Sequence, residues 1–116
     1  MRPRDRSERG AVTAELAVGL PVVVLLLVAV LTLVAASAAQ LRAADAARAG
    51  ARLVAVGEDQ ARVRAAVARV GGPDAAATVV PEGDWVRVVV TCPVGAGVLA
   101  GLPLEATGQA LAWVEP

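Results

Sequence analysis

Residues 16–41 read LAVGLPVVVLLLVAVLTLVAASAAQL and include no charged side chain. An α-helix rises about 1.5 Å per residue, so a run of this length exceeds the roughly 30 Å hydrocarbon thickness of a bilayer. Its densest part, residues 22–34, is almost pure Val and Leu. Such residues are modest helix formers in water, but in lipid every backbone N–H and C=O must pair internally, and a single span can do that only as a helix. The stretch therefore predicts one membrane-spanning helix over about residues 16–41, with a small domain to follow. Pro21 lies early in the run, where its missing N–H opens one rung of the hydrogen-bond ladder and either kinks the helix or is tolerated there.

On the N-terminal side, MRPRDRSERG carries Arg2, Arg4, Arg6 and Arg9 with Asp5 and Glu8, and no apolar periodicity that could bury a face. Residues 1–10 read as a soluble basic leader. Gly10 and Ala11 form a small pair where a protease could bring the backbone close, and Glu15 is the fifth residue past Gly10. A carboxylate at the margin of a membrane span is expensive if drawn inward, so such a residue calls for a partner. Two readings of Glu15 stand. It can be a first-turn carboxylate stabilised by the helix N-terminus. Alternatively it meets the free α-amino group of a neighbouring subunit, a group that exists at Ala11 only if the Gly10–Ala11 bond has been cut.

On the C-terminal side the helical pattern continues without a break. The segment AQLRAADAARAGARLVAVG places Leu41, Ala44, Ala47, Ala51 and Val54 at helical spacing, and Asp45 lies three residues before Arg48. One helix over residues 11–56 follows, its second part an amphipathic stalk, with Gly57 as the stop. In its alanine-rich part, Ala46 with Gly50 and Ala43 with Ala47 make small-xxx-small pairs that could bring helices close, a match that comes cheaply in so alanine-rich a segment. A second short helix has Glu58 and Asp59 in its first turn and Val63, Ala66, Val67 and Val70 as its apolar stripe, ended by Gly71, Gly72 and Pro73.

The period then changes. ATVVPEGDWVRVVVTC reads as a hairpin around Pro81–Glu82–Gly83–Asp84, with Val86, Val88 and Val90 on one face and Arg87 on the other. Val89 breaks the alternation and points to a sheet covered partly on both faces. After a glycine-rich stretch from Gly95 to Gly101, residues 104–114 supply a third strand, with Pro103 at its start. The expected fold is α+β: a long membrane-spanning helix continuing as a stalk, a short helix, and a small antiparallel sheet. Residues 57–116 form the head, and Trp85 and Trp113 belong to its core or its sheet face.

Composition narrows the function. The chain has 116 residues, 11 basic and 11 acidic, so no basic excess supports a nucleic-acid surface. It has no histidine, and its two serines, Ser7 and Ser37, fall in the leader and in the apolar run. Without histidine, neither a Ser-His nor a Cys-His nucleophile pair can be built, so no enzyme is expected. The lone Cys92 cannot close a disulfide within the chain or assemble a zinc site, and it reads as a buried or half-buried small hydrophobe. No cofactor or metal is expected.

The stretch RGAVTAELAVGLPVVVLLL resembles the start of type IV pilin-like proteins, most closely the TadE-like minor pilins of tight-adherence pilus systems. AAQLRAADAARAGARLVAVGE is similar to the Ala-Arg-rich stretch that follows the membrane helix in that family, so the resemblance spans residues 9–58. It implies cleavage by a membrane-embedded prepilin peptidase, then a part in assembling an adhesive pilus with other pilin-like subunits, an assembly platform and, indirectly, its ATPase. By the resemblance, Gly10 matches the last leader residue, Ala11 the first mature residue, Glu15 the fifth-position glutamate and Pro21 the early helix proline. Major pilins of such systems are much shorter and usually carry an aromatic residue just after the glutamate, where this chain has Leu16 and Ala17. That argues for a minor subunit.

The expected location is the cell membrane, single-pass, with the leader inside and the head outside, since four arginines and the amino terminus face Arg42, Arg48 and Arg52 across the span. Cleavage would leave seven basic and nine acidic side chains. Two alternatives remain: a secreted protein whose signal peptide is cut near Ala38, after the small-x-small Ala36–Ser37–Ala38, or an unprocessed single-pass adaptor. The mature N-terminus separates the three, as Ala11, Ala39 or Met1.

Overall fold

The computed structural model describes residues 3–95 and 103–115, and the side chains from Ser7 onward within them. Helix α1 (Pro3–Ala55) is followed by α2 (Gln60–Gly71) and by strands β1 (Ala76–Glu82), β2 (Trp85–Pro93) and β3 (Glu105–Trp113). The fold is α+β, with one long apolar helix, one short helix and a three-stranded antiparallel sheet in the order β1–β2–β3. The chain forms two compact units, residues 1–33 and residues 34–116.

The first unit is helical throughout its described length. It begins at Pro3, not near Ala11, so residues 3–10, expected as a leader, are helix as well. Proline is welcome in a first helical turn, where its N–H would be unpaired anyway, and the Arg and Glu that follow are good helix formers. The large apolar side chains from Leu16 to Leu33 stand more than 40 % exposed, as lipid-facing residues would. Pro21 is accommodated within the continuous helix.

The second unit is the head, and the last part of α1 is its core helix. Ala43, Ala46, Ala47 and Ala51 are buried, together with Val67 of α2 and Val88, Val90, Cys92 and Ala112 of the sheet. This corrects the expected stripe by about one residue: Leu41 is 67 % exposed and Ala43 takes the buried place. The cause is the closeness of the sheet. A Cβ on Gly108 would strike the backbone of Ala43 and Ala44, so only alanine and glycine fit this face of the helix. The small-xxx-small residues are consumed here as well. A Cβ at Gly50 would lie 3.1 Å from Val67 of α2 and 3.2 Å from Val88 of β2, so Gly50 lets α1 come close to α2 and the sheet within the head's own core.

Contacts with the head reach back along α1 to Ala35 and Ala36, which pack on Ala39, Val94 and Ala106. Residues 16–34 precede these contacts, and at about 1.5 Å per residue they come close to the roughly 30 Å of a bilayer core.

The loop before α2 differs from its expected form. Asp59 is the N-cap, its carboxylate accepting from the Arg62 N–H at 2.9 Å, and Glu58 pairs with the Arg62 guanidinium at 3.1 Å. Both acids precede the helix, because a side-chain oxygen reaches the orphan N–H groups best from the cap position. Val63 and Val67 are buried, whereas Val70 is 39 % exposed and Gly71 lies inside. Gly57 has φ +80, the left-handed geometry expected of the stop.

In the sheet, the β1–β2 turn contracts to Gly83–Asp84, with Gly83 at φ +65 as the first loop residue of a tight hairpin. Val86, Val88, Val90 and Cys92 share the inner face. Val89 stands on the outer face beside Thr78 and Gln109 and is half-buried there. Trp85 and Trp113 are sheet-face residues, direct cross-strand partners each 49 % exposed.

Candidate processing and assembly site

Gly10, Ala11, Glu15 and Pro21 all lie on α1, and all four are exposed. Ala11 and Glu15 are one turn apart and share a helix face, with the Glu15 side chain leaning toward the N-terminus as helical side chains do. Thr13 donates its hydroxyl to the Arg9 carbonyl at 2.8 Å, a bond that spans the Gly10–Ala11 peptide.

The glycine at position 10 has no role in the chain's own packing. Its φ is not in the left-handed region, and a Cβ there would meet nothing within 4 Å. Glycine within a helix is less stable than alanine by roughly 0.5–1 kcal/mol. Gly50 and Gly108 repay that weakness with close packing, and Gly10 does not. Gly19, one turn past Glu15, is equally unconstrained, but it falls inside the apolar run, where glycine is common. Glu15 is similarly unexplained by its own chain: among the described residues no basic side chain or hydrogen-bond donor pairs with it. Asp45, Glu58 and Glu82, by contrast, each hold an arginine at 3.0–3.1 Å.

The residue proposed as a small hydrophobe is one. Cys92 is buried, its thiol directed at the Gly71 carbonyl at 3.6 Å, and burial pushes its pKa up, with Arg42 opposing weakly. Among the described residues no group of three or more His, Cys, Asp or Glu side chains is placed to hold a metal ion.

Sequence reading overlooked the contact between Gln40 and Thr107, in which the amide Nε2 donates to the Thr107 carbonyl at 2.8 Å. It also overlooked the role of Gly108. A signal was present: the inner positions of β3 are Ala106, Gly108, Ala110 and Ala112, all small, which in an alternating strand marks a face pressed against a helix.

No curated protein and no solved structure shows significant similarity to the chain. Residues 10–52 match the family described as TadE-like protein. The match starts at Gly10 and ends inside the buried part of α1, taking in every candidate residue above. Over this segment the chain is similar to the TadE-like proteins.

Proposed function

We propose that this protein is a minor pilin-like subunit, cut between Gly10 and Ala11 by a prepilin peptidase and assembled with other pilin-like subunits through Glu15. The observation that carries the reading is that Gly10 and Glu15 are both unexplained by the chain's own fold, the one having no steric need for glycine and the other no internal partner among the described residues. A protease that needs close backbone approach accounts for the glycine. A neighbour's α-amino group, formed by the same cut, accounts for the carboxylate, because an unpaired charge near a low-dielectric region is a penalty and a paired one gives register. The subunit has no catalytic role in this reading, and its head lies outside the membrane with the leader's arginines inside.

The alternative cut near Ala38 fares worse. It would place a new, charged amino terminus on Ala39, which is fully buried against Val94 and Ala106, and it would remove the Ala35 and Ala36 contacts of the head. Mass spectrometry of the mature N-terminus tests the proposal: Ala11 is expected, Ala39 or Met1 would overturn it.

A further inference from the structure

We propose that the free edge of β3, together with the flank of α1 beside it, is a docking groove for an extended acidic segment of a partner polypeptide. Val94 donates its N–H to the Leu104 carbonyl at 2.8 Å, and Val114 donates to the Asp84 carbonyl at 3.0 Å. In an antiparallel pair, hydrogen-bonded and non-hydrogen-bonded partners alternate. Thr91–Thr107, Val89–Gln109, Arg87–Leu111 and Trp85–Trp113 are therefore all of the second kind. The N–H and C=O groups of residues 107, 109, 111 and 113 consequently point away from β2, along the free edge. Gln40 already holds the Thr107 carbonyl. Among the described residues nothing pairs with the outward groups of Gln109, Leu111 and Trp113.

The two edges of the sheet are managed differently. β1 carries Pro81 and packs against α2, devices that blunt a strand edge. β3 has neither proline nor basic residue along its length. Beside it, from Arg48 to Ala55, α1 forms the other wall of a groove whose strand side is Leu111 and Trp113. A groove between a strand edge and a helix suits an added strand, with backbone bonds giving affinity and alternate side chains filling the apolar floor.

Charge selects the occupant. Arg48 and Arg52 line the helix wall, and Arg52 has no ion-pair partner among the described residues, while Arg48 holds Asp45 only in an exposed pair. A second copy's β3 carries a single acidic side chain, Glu105, to meet these arginines and brings its own Arg48 and Arg52 with it. An acidic strand meets complementary charge instead.

The test uses the full chain in detergent micelles and fluorescein-labelled octapeptides read by anisotropy. The probes are an alternating Val/Glu peptide, its Val/Lys counterpart, and the Val/Glu peptide N-methylated at the residues that would face β3. Saturable binding is expected for the acidic peptide, with about tenfold or greater loss for the other two. Arg52→Glu should weaken it about five- to tenfold, whereas Arg64→Glu, on the exposed face of α2, should leave it unchanged. Absence of saturable binding, or equal binding of the three peptides, overturns the proposal. So does concentration-dependent crosslinking of Gln109→Cys between copies that the acidic peptide fails to displace, which assigns the edge to a second copy.

Discussion

Gly108 of β3 lies directly against the backbone of Ala43 on α1, so close that a Cβ on the glycine would overlap the Ala43 carbonyl. This contact sets how near the sheet comes to the helix. It explains why the buried face of α1 is built from Ala43, Ala46, Ala47, Gly50 and Ala51 and not from leucine.

Gly108→Ala should therefore destabilise the head by about 1–3 kcal/mol, the usual range for overpacking a filled core. Because backbone and not a flexible side chain opposes the added methyl, little relaxation is available. Thermal melting followed by the fluorescence of Trp85 and Trp113 reads the change. A melting temperature equal to that of the unaltered chain would contradict the close approach.

Gly10 should behave in the opposite way. With open space around it, Gly10→Ala should leave the fold intact and strengthen the helix by roughly 0.5–1 kcal/mol. A bulky replacement such as Gly10→Leu should fold equally well and yet leave full-length precursor in the membrane. Gel mobility and N-terminal mass of the membrane fraction check this, and normal processing of the leucine variant would remove Gly10 from the cleavage site.

For Glu15, substitution by Gln should separate assembly from everything upstream of it. Expression, insertion and cleavage should stay near normal, since residues 16–34 already provide an apolar span and Glu15 makes no contact that the fold needs. Co-purification of the mature chain with other pilus subunits should be lost, compared at matched levels. In a simple anchor the same change is neutral, or slightly improves membrane residence by removing an expensive charge. Undiminished association in both Glu15→Gln and Glu15→Ala would assign the carboxylate to helix-end stabilisation alone.

Cys92 supplies a prediction in pH. Burial raises the thiol's pKa in the folded head above the ordinary 9.0, so the unfolded chain ionises first as pH rises. The group's contribution to stability is complete below that ordinary value and declines as pH climbs from it through the folded pKa. Alkylation by iodoacetamide at pH 8 should accordingly be slow in the native protein and fast in denaturant. Cys92→Ala should flatten the alkaline loss of stability, seen as a smaller fall in melting temperature between pH 8 and pH 10.

The secondary structure was largely legible because its signals are local. A charge-free run long enough for a bilayer can only be a helix, Gly57 stops it with a left-handed φ, and Val86, Val88 and Val90 alternate against Arg87. The candidate site was legible for the same reason, as Gly10, Ala11 and Glu15 are close in sequence and their spacing along a helix is given by its pitch. The errors fell where a residue's neighbour is distant in the chain. Leu41 looks like a core residue by spacing, and Val70 like part of the α2 stripe, but each is turned outward by where the sheet and α1 meet.

From sequence alone came a helix long and apolar enough to span a membrane, the order of elements, the lack of histidine and the likeness to TadE-like proteins in residues 9–58. Tertiary structure decided what the helix after the span is for. Residues 35–55 look like a free amphipathic stalk, yet they are the central helix of the head, because the small inner residues of β3 let the sheet reach them. Hydrophobic periodicity says which face of a helix wants burial. It does not say what will bury it, since the distance of closest approach depends on the side chain opposite, and at Ala43 that residue is Gly108, which lies 65 positions further along the chain.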